Sequence, residues 1–241
     1  MDTQPSNTPQ RLDEISTEWT IVTDPAQFVL RYGRAVQLYL VVLLKNRHDA
    51  EDVAQEFFLR ITRAGFMHAR RDQGRFRDYL KVAVRNAGLN YLRSRQAAQR
   101  AADASLDHAG VSRELQQAAD QAWLAQWRGI LLDRAVAALK RHENASPGNL
   151  FSTVLEMIVD YPGDDAKKLA ERTGEATGKP MRADAFRKQV SRARRMLARL
   201  VVREVEQTLD CPTPDHVKDE LIELALWDYV RDYLPTEDVL E

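Results

Sequence analysis

The feature that most constrains the fold is the helical spacing of apolar residues between Phe76 and Arg95. Apolar side chains recur there every three or four positions, which places them on one face of an α-helix. The other face has scarcely a carboxylate after Asp78. Guanidinium and amide groups hydrogen-bond to phosphates and base edges, so this face favours nucleic acid, with a merely solvated face as the alternative. Its polar residues are Arg77, Lys81, Arg85, Asn86, Asn90 and Arg93.

The segment from Asp49 to Ile61 carries a second helical pattern just upstream. Its apolar residues again share one face, and the opposite side is crowded with acidic and amide side chains. A plain DNA-binding regulator has no need for an exposed acidic stripe beside a nucleic-acid helix, so this stripe favours a further protein partner. The residues of the stripe are Glu51, Asp52, Gln55 and Glu56.

The formal net charge of −1 conceals a strong segregation along the chain. Residues 67–100 hold nine Arg or Lys against two Asp, and residues 182–203 hold eight against one, so each block has a net charge of +7. Residues 204–241 hold two basic against twelve acidic residues, a net charge of −10. Two separate basic blocks are typical of a protein that touches nucleic acid at two places.

The second basic block lies on another amphipathic pattern, from Ala183 to Val202. A short helix is predicted before it, from Ala166 to Glu171, with a turn between the two. This is the order of a helix-turn-helix, in which the second helix enters the major groove and its N-terminal half reaches base edges.

Two of these segments resemble a known family. The run DAEDVAQEFFLRI followed by FRDYLKVAVRNAGLNYLRSR resembles the two central helices of sigma-70 family RNA polymerase sigma factors, and most of all the short extracytoplasmic-function (ECF) type. MRADAFRKQVSRARRML is similar to the recognition helix of the C-terminal domain of that type. The second resemblance is weaker, because the turn predicted from Thr173 to Pro180 is longer than the family's turn.

The resemblance implies three binding surfaces. The first would bind core RNA polymerase, the second would capture the melted non-template strand at the promoter −10 element, and the third would read the −35 element as duplex. The residues implied for polymerase are Asp49, Glu51, Asp52, Gln55 and Glu56. Those implied for −10 DNA are Arg75, Phe76, Arg85, Asn86, Asn90 and Arg93. Those implied for −35 DNA are Arg187, Lys188, Ser191, Arg192, Arg194 and Arg195.

We therefore predict an all-α protein with two helical domains, the second containing the helix-turn-helix, and a C-terminal helical extension. The predicted segments are an N-terminal arm (1–24), a region 2-like domain (25–96), a linker (97–119), a region 4-like domain (120–204) and an acidic extension (205–241). An arginine-rich loop is predicted over residues 62–75, between two helices. An apolar island at residues 18–22 is expected to dock on the first domain.

Other classes of protein find little support. The sequence has no phosphate-binding glycine loop, and its five histidines are scattered, so we expect no enzyme activity, no cofactor and no metal site. The single cysteine excludes an intrachain disulfide, and no secretory signal or membrane span is visible, so we expect a cytoplasmic protein. An anti-sigma factor or another regulator is a further expected partner. The alternatives are a helix-turn-helix regulator that never meets polymerase and a helical protein that binds acidic partners.

The acidic extension has two interpretations of its own. Thr213 and Pro214 predict a helix start, and the following apolar residues predict a helix that must pack on protein. One interpretation is a helix that completes the core of the second domain. The other is a segment that docks on the basic recognition helix and competes with DNA. Its predicted apolar face is Ile222, Leu226, Tyr229, Val230 and Tyr233, widened by Leu221, Leu224 and Trp227.

Overall fold

The computed structural model describes residues 25–64, 75–102, 111–146, 148–209 and 212–234. These residues form helices and connecting turns without a strand among them, which confirms the all-α prediction. The chain divides into two compact units. The first contains Met1–Gln126 with Gln207–Cys211, and the second contains Trp127–Glu206 with Pro212–Glu241. No helix of the described ranges is long and apolar enough to cross a membrane.

The first unit is built from three helices and the first part of a fourth. They are α1 (Pro25–Leu44), α2 (Arg47–Ala64), α3 (Phe76–Ala102) and α4 (Arg113–Ala145), of which the part up to Gln126 belongs to this unit. α1 begins at Pro25. Asn46 separates α1 from α2, and its side-chain oxygen accepts hydrogen bonds from the backbone N–H groups of His48 and Asp49 and so caps α2.

The core of the first unit is aromatic at its centre. Tyr32 on α1 packs against Phe76 of α3, with 5.6 Å between their ring centroids. Tyr39 packs edge-on against Trp123 of α4 at 5.9 Å, and its hydroxyl donates to Asp120 at 3.3 Å. Burial, and then the charge of Asp120, raise the pKa of Tyr39 well above its usual value, so the phenol stays protonated. These contacts hold the first part of α4 against α1.

The second unit contains the rest of α4 and the helices that follow. They are α5 (Phe151–Asp160), α6 (Ala166–Thr177), α7 (Ala183–Glu206), α8 (Pro214–Glu223), α9 (Trp227–Val230) and a 3₁₀ turn, Arg231–Tyr233. Leu139, Phe151, Leu169, Phe186 and Val190 meet in its core. Trp127, at the start of the part of α4 that belongs to this unit, is buried.

The helix before the basic helix is longer than predicted. α6 continues to Thr177 instead of ending at Glu171, so the turn is residues 178–182 and the expectation of a long turn from Thr173 is wrong. The helix ends where Gly178 takes a left-handed conformation, with φ of 69°, which glycine adopts without strain. A Cβ on Gly174 would lie 3.1 Å from the carbonyl oxygen of Lys179, so the turn packs closely on α6.

The acidic extension also differs from the prediction. Thr213 caps α8 as expected, its hydroxyl accepting from the backbone N–H of His216, and the segment does pack on protein, against α7. However, α8 ends at Glu223 and the chain turns through Ala225, whose φ is 52°. The predicted apolar face is therefore broken: Ile222 is 52% exposed and Tyr229 74% exposed. The buried apolar residues between Pro214 and Leu234 are Val217, Leu221, Leu224, Leu226 and Val230.

Several predicted segments fall wholly or partly outside the described residues. These are the N-terminal arm with its apolar island, and residues 65–74 of the predicted loop. α2 continues through residues 62–64, which the prediction assigned to that loop. Of the predicted linker, residues 97–102 belong to α3 and residues 113–119 to α4. The domain boundaries stay predictions.

Candidate nucleic-acid interface

The acidic stripe of α2 lies on the surface, as its helical position indicated. Glu51, Asp52, Gln55 and Glu56 are all exposed. Basic side chains lie close to two of them. The Arg47 guanidinium lies 2.8 Å from Glu51, and the His48 imidazole Nε2 lies 3.9 Å from Asp52. Exposed pairs of this kind are weak, so the stripe keeps a negative potential that a basic protein surface can meet.

Asp49 lies in a different environment from the rest of its predicted set. Its side chain is only 13% exposed and forms an ion pair with Arg95 of α3. It also hydrogen-bonds with Tyr91, whose pKa is raised by burial first and then by this carboxylate. Asp49 therefore links α2 to α3 through these contacts. Unlike Asp52, it does not lie on the exposed outer surface of α2.

Exposed apolar residues beside the acidic stripe were missed by the sequence analysis. Val29 of α1 is 39% exposed, and Leu59 of α2 is 46% exposed. Val29 and Leu59, with Gln55, line a shallow cavity of about 420 Å³ between the two helices. Exposed apolar side chains rimmed by charge mark protein-binding surfaces. The signal was available, since Leu59 lies seven residues from Asp52 and so shares its face.

The polar face of α3 presents amide and guanidinium groups together. Asn86, Asn90 and Arg93 are exposed, and Arg93 donates to the Asn90 side-chain oxygen at 3.0 Å. That contact turns the Asn90 amide nitrogen away from Arg93, where it can donate to an acceptor on a base. Arg85 is half-buried at the edge of this face, and Val82, 51% exposed, adds an apolar surface to it.

The first turn of α3 departs from the prediction. Phe76 is fully buried against Tyr32, so its ring has no face to offer a base. Arg77, predicted on the polar side, is also fully buried. Arg75 is half-buried and its carbonyl oxygen accepts from the backbone of Asp78, so it lies at the helix start. Phe76 is covered because Tyr32 of α1 packs against its ring.

Tyr79 is the aromatic residue that the sequence analysis missed on this face. It is half-buried, and burial raises the pKa of its phenol. It lies three residues before Val82 and seven before Asn86, and these separations place all three on one helical face. An aromatic ring beside amides and a guanidinium is the combination that binds unstacked bases.

In the second unit, all six residues predicted on the basic helix are exposed: Arg187, Lys188, Ser191, Arg192, Arg194 and Arg195. Within the described part of the chain, none of the five cations has a carboxylate at ion-pair distance. The opposite face of α7 is buried through Phe186, Val190 and Ala193. The helix is therefore anchored along one side and presents a dense positive charge along the other.

Four further cations near this helix were not singled out from the sequence. Lys167 and Lys168 are exposed at the start of α6, whose first turn is capped by the Asp165 carboxylate accepting from both their backbone N–H groups. Those hydrogen bonds lower the pKa of Asp165. Lys179 and Arg182 are exposed in the turn between α6 and α7. These four cations could have been found from the sequence, because they lie in or just before the predicted helix-turn-helix.

Part of the chain matches a known family model. Residues 28–98 match the family model of sigma-70 region 2, which covers most of α1, all of α2 and most of α3. The matched segment is less than a third of the chain, and residues 99–241 lie outside it. Neither the comparison with curated proteins nor that with solved structures finds a match. The match supports a relationship to the sigma-70 family, whose members act in transcription initiation.

Proposed function

We propose that this protein is an ECF-type sigma factor that binds core RNA polymerase and directs it to promoters. The observation that carries the proposal is the coincidence of the region 2 match with α1 to α3. These are the helices that present an acidic, partly apolar protein-binding surface on α2 and an amide and guanidinium face on α3.

Polymerase binds the outer face of α2 in this proposal. Asp52, Gln55 and Glu56 attract a basic surface, and Leu59 supplies apolar area that is removed from water in the complex. Charge complementarity raises the association rate and selects the partner, whereas the apolar contact lowers the dissociation rate. Asp49 acts indirectly, by holding α2 against α3.

The polar face of α3 captures the melted −10 strand. Unpaired bases lose their stacking partners, so a protein that holds them must supply aromatic or apolar contacts and hydrogen bonds to their edges. Tyr79 and Val82 provide the former on this face, and Asn86, Asn90 and Arg93 the latter.

The second unit reads the −35 element as duplex DNA through a helix-turn-helix formed by α6 and α7. A five-residue turn and a rigid, one-sided basic helix support this assignment. The N-terminal half of α7, with Arg187, Ser191 and Arg192, enters the major groove. Lys167, Lys168 and Lys179 flank it and contact phosphates.

The protein acts by binding and not by catalysis in this proposal, and it needs no cofactor or metal. It works in the cytoplasm, where core polymerase and promoter DNA are its partners. An anti-sigma factor or another regulator would control it by covering the α2 or the α7 surface.

Run-off transcription with purified core polymerase and a library of genomic fragments tests the proposal. We expect specific transcripts that depend on this protein, and co-purification of the protein with core polymerase. Binding to duplex DNA without any association with polymerase would instead favour the helix-turn-helix regulator. An α2 surface that binds some other protein, with no DNA binding at all, would favour the interaction protein.

A further inference from the structure

A largely apolar groove lies beside α7 in the second unit. Its volume is about 610 Å³, within the range in which protein pockets bind small molecules or peptide side chains. Leu132 of α4, Leu197 and Val201 of α7 and Tyr229 of α9 contribute apolar surface, and Arg128 and Arg194 contribute positive charge. A groove of this composition suits a short segment with adjacent apolar and acidic residues.

The groove adjoins the face of α7 that the proposed function assigns to DNA. A second cavity, of about 300 Å³, is lined by Arg187 and Ser191. Arg194 and Tyr233 line both cavities. Whatever fills the larger groove therefore lies against Arg194, beside the cavity that Arg187 and Ser191 line.

Helical geometry explains why the two surfaces are continuous. Arg187, Ser191 and Arg194 follow one another at four- and three-residue steps, so they share one stripe of α7. Ala198 and Val201 continue the same stripe. Both are buried, whereas the first three are exposed. The C-terminal extension, which packs against α7, thus ends the exposed stripe just after Arg194.

We infer that residues 235–241 of the same chain bind this groove. The described chain reaches the groove at Tyr233, and the sequence that follows Leu234 is PTEDVLE. Val239 and Leu240 are the apolar pair that the groove suits, and Glu237 and Asp238 are the acids that suit Arg194 and Arg128. Five or six residues of extended chain span roughly 16–20 Å, enough to pass along the side of a helix about 10–12 Å wide.

The docked segment weakens DNA binding, and this consequence rests on the proposed function of α7. Glu237 and Asp238 neutralise part of the positive stripe and repel phosphates that approach Arg194. The protein then exists in two states, and DNA binds better to the state in which the groove is empty. A competitor for the tail, such as a polymerase surface, would shift the population towards DNA binding.

The rest of the extension, residues 214–234, does not dock and release with the tail. Val217, Leu221, Leu224 and Val230 are buried, and Glu220 is fully buried as well. α8 and α9 are therefore part of the fold of the second unit, which supports the structural interpretation for residues 214–234. A deletion that begins at residue 211 would remove core residues, so the informative truncation begins after Leu234.

The test uses the full-length protein and a fluorescein-labelled 30-base-pair duplex of mixed sequence, whose anisotropy reports binding. Deletion of residues 235–241 should tighten binding by about 3- to 30-fold at 50 mM salt, the effect of freeing the exposed Arg194 and the half-buried Arg128. The slope of log K against log salt should steepen by about 1–2, because those cations become available to phosphates. The variant Glu237→Gln with Asp238→Asn should reproduce most of this gain.

Two controls separate docking from bulk charge. Asp215→Asn with Asp219→Asn removes the same charge from exposed positions on α8 and should leave the affinity within about twofold. Val239→Ser with Leu240→Ser keeps all the charge and should still tighten DNA binding, because the apolar pair no longer holds the tail in the groove.

A groove variant gives an independent readout. Tyr229→Ala removes an exposed ring from the groove, so the fold should survive. It should tighten DNA binding in the full-length protein and leave the DNA affinity of the truncated protein unchanged. The reason is that Tyr229→Ala and the truncation remove the same contact between the tail and the groove. Equal effects of Tyr229→Ala in both proteins would overturn the inference, as would a truncated protein that binds no more tightly than the full-length one.

The remaining outcomes distinguish this inference from the proposed function. A gain on truncation that varies with protein concentration would show that the tail docks on a second copy and would refute docking within one chain. If Arg192→Ala weakens DNA binding but truncation has no effect, docking is wrong and the assignment of α7 stands. If neither protein binds duplex and Arg192→Ala has no effect, both fail.

Discussion

Asp52→Arg with Glu56→Arg should separate polymerase binding from stability. Both residues are exposed on the outer side of α2, and in the described structure the basic side chain within 4 Å of Asp52 is the His48 imidazole, at 3.9 Å. Reversal on an exposed helix face should therefore change the free energy of unfolding by no more than about 0.5 kcal/mol. An exposed ion pair contributes about 0.2–1 kcal/mol to binding, and reversal replaces that attraction by a repulsion of similar size.

Two reversals should thus weaken the affinity for core polymerase by about 1–4 kcal/mol, which corresponds to roughly 5- to 1000-fold in Kd. The loss should shrink as salt is raised from 50 to 300 mM, since exposed charges are screened. Fluorescence titration of labelled protein with core polymerase measures Kd, and urea unfolding measures stability. Unchanged Kd at low salt, with normal urea unfolding, would refute the assignment of this surface.

Asp49→Ala is the matched control on the same helix. Its carboxylate is mostly buried and bonded to Arg95 and Tyr91, so its removal should lower the free energy of unfolding by about 1–3 kcal/mol. Affinity for polymerase should hold at temperatures where the variant stays folded. The opposite pattern, a stable Asp49→Ala variant that no longer binds polymerase, would place Asp49 in the interface and contradict the structural role described above.

Three further predictions address the two DNA surfaces and the core. Asn90→Ala should impair opening or capture of the −10 strand, measured by permanganate reactivity of a promoter recovered from the run-off library, while −35 duplex affinity stays unchanged. Arg187→Ala and Arg192→Ala should each weaken −35 duplex binding by about 1–3 kcal/mol if they read bases, and a uniform loss on all duplexes would assign them to phosphates. Gly88→Leu should destabilise the first unit by about 1–3 kcal/mol in urea unfolding, because even a Cβ there would lie 2.7 Å from Leu43; unchanged stability would mean that α1 and α3 can move apart.

Helical periodicity was enough to predict the elements and most of the exposed site residues. Lys188 and Arg192 on α7, and Asn86 and Asn90 on α3, lie on the surface where their spacing from the apolar stripe placed them. An amphipathic helix must bury its apolar side, so its polar side is determined as soon as the period is read. This argument needs no knowledge of the partner helix, and that is why it succeeds from a single sequence.

The same argument fails where a second helix covers the polar side or where an ion pair removes a charge from the surface. Phe76 is buried against Tyr32 of α1, and Asp49 forms an ion pair with Arg95, 46 residues further along the chain. A helical wheel contains neither contact. Tertiary packing therefore decided which members of the predicted sets remain accessible.

The C-terminal extension shows most clearly which features follow from the sequence and which depend on tertiary packing. Its start is local chemistry, a threonine cap followed by proline, and could be read from three residues. Its end could not, because the chain reverses at an alanine, Ala225, in a conformation that alanine does not favour locally. The sequence by itself determined that an acidic apolar segment must pack against something. Only the burial of Leu224 and Leu226 on either side of that reversal, which is a property of the packed second unit, decided the bend and left Tyr229 beside the groove.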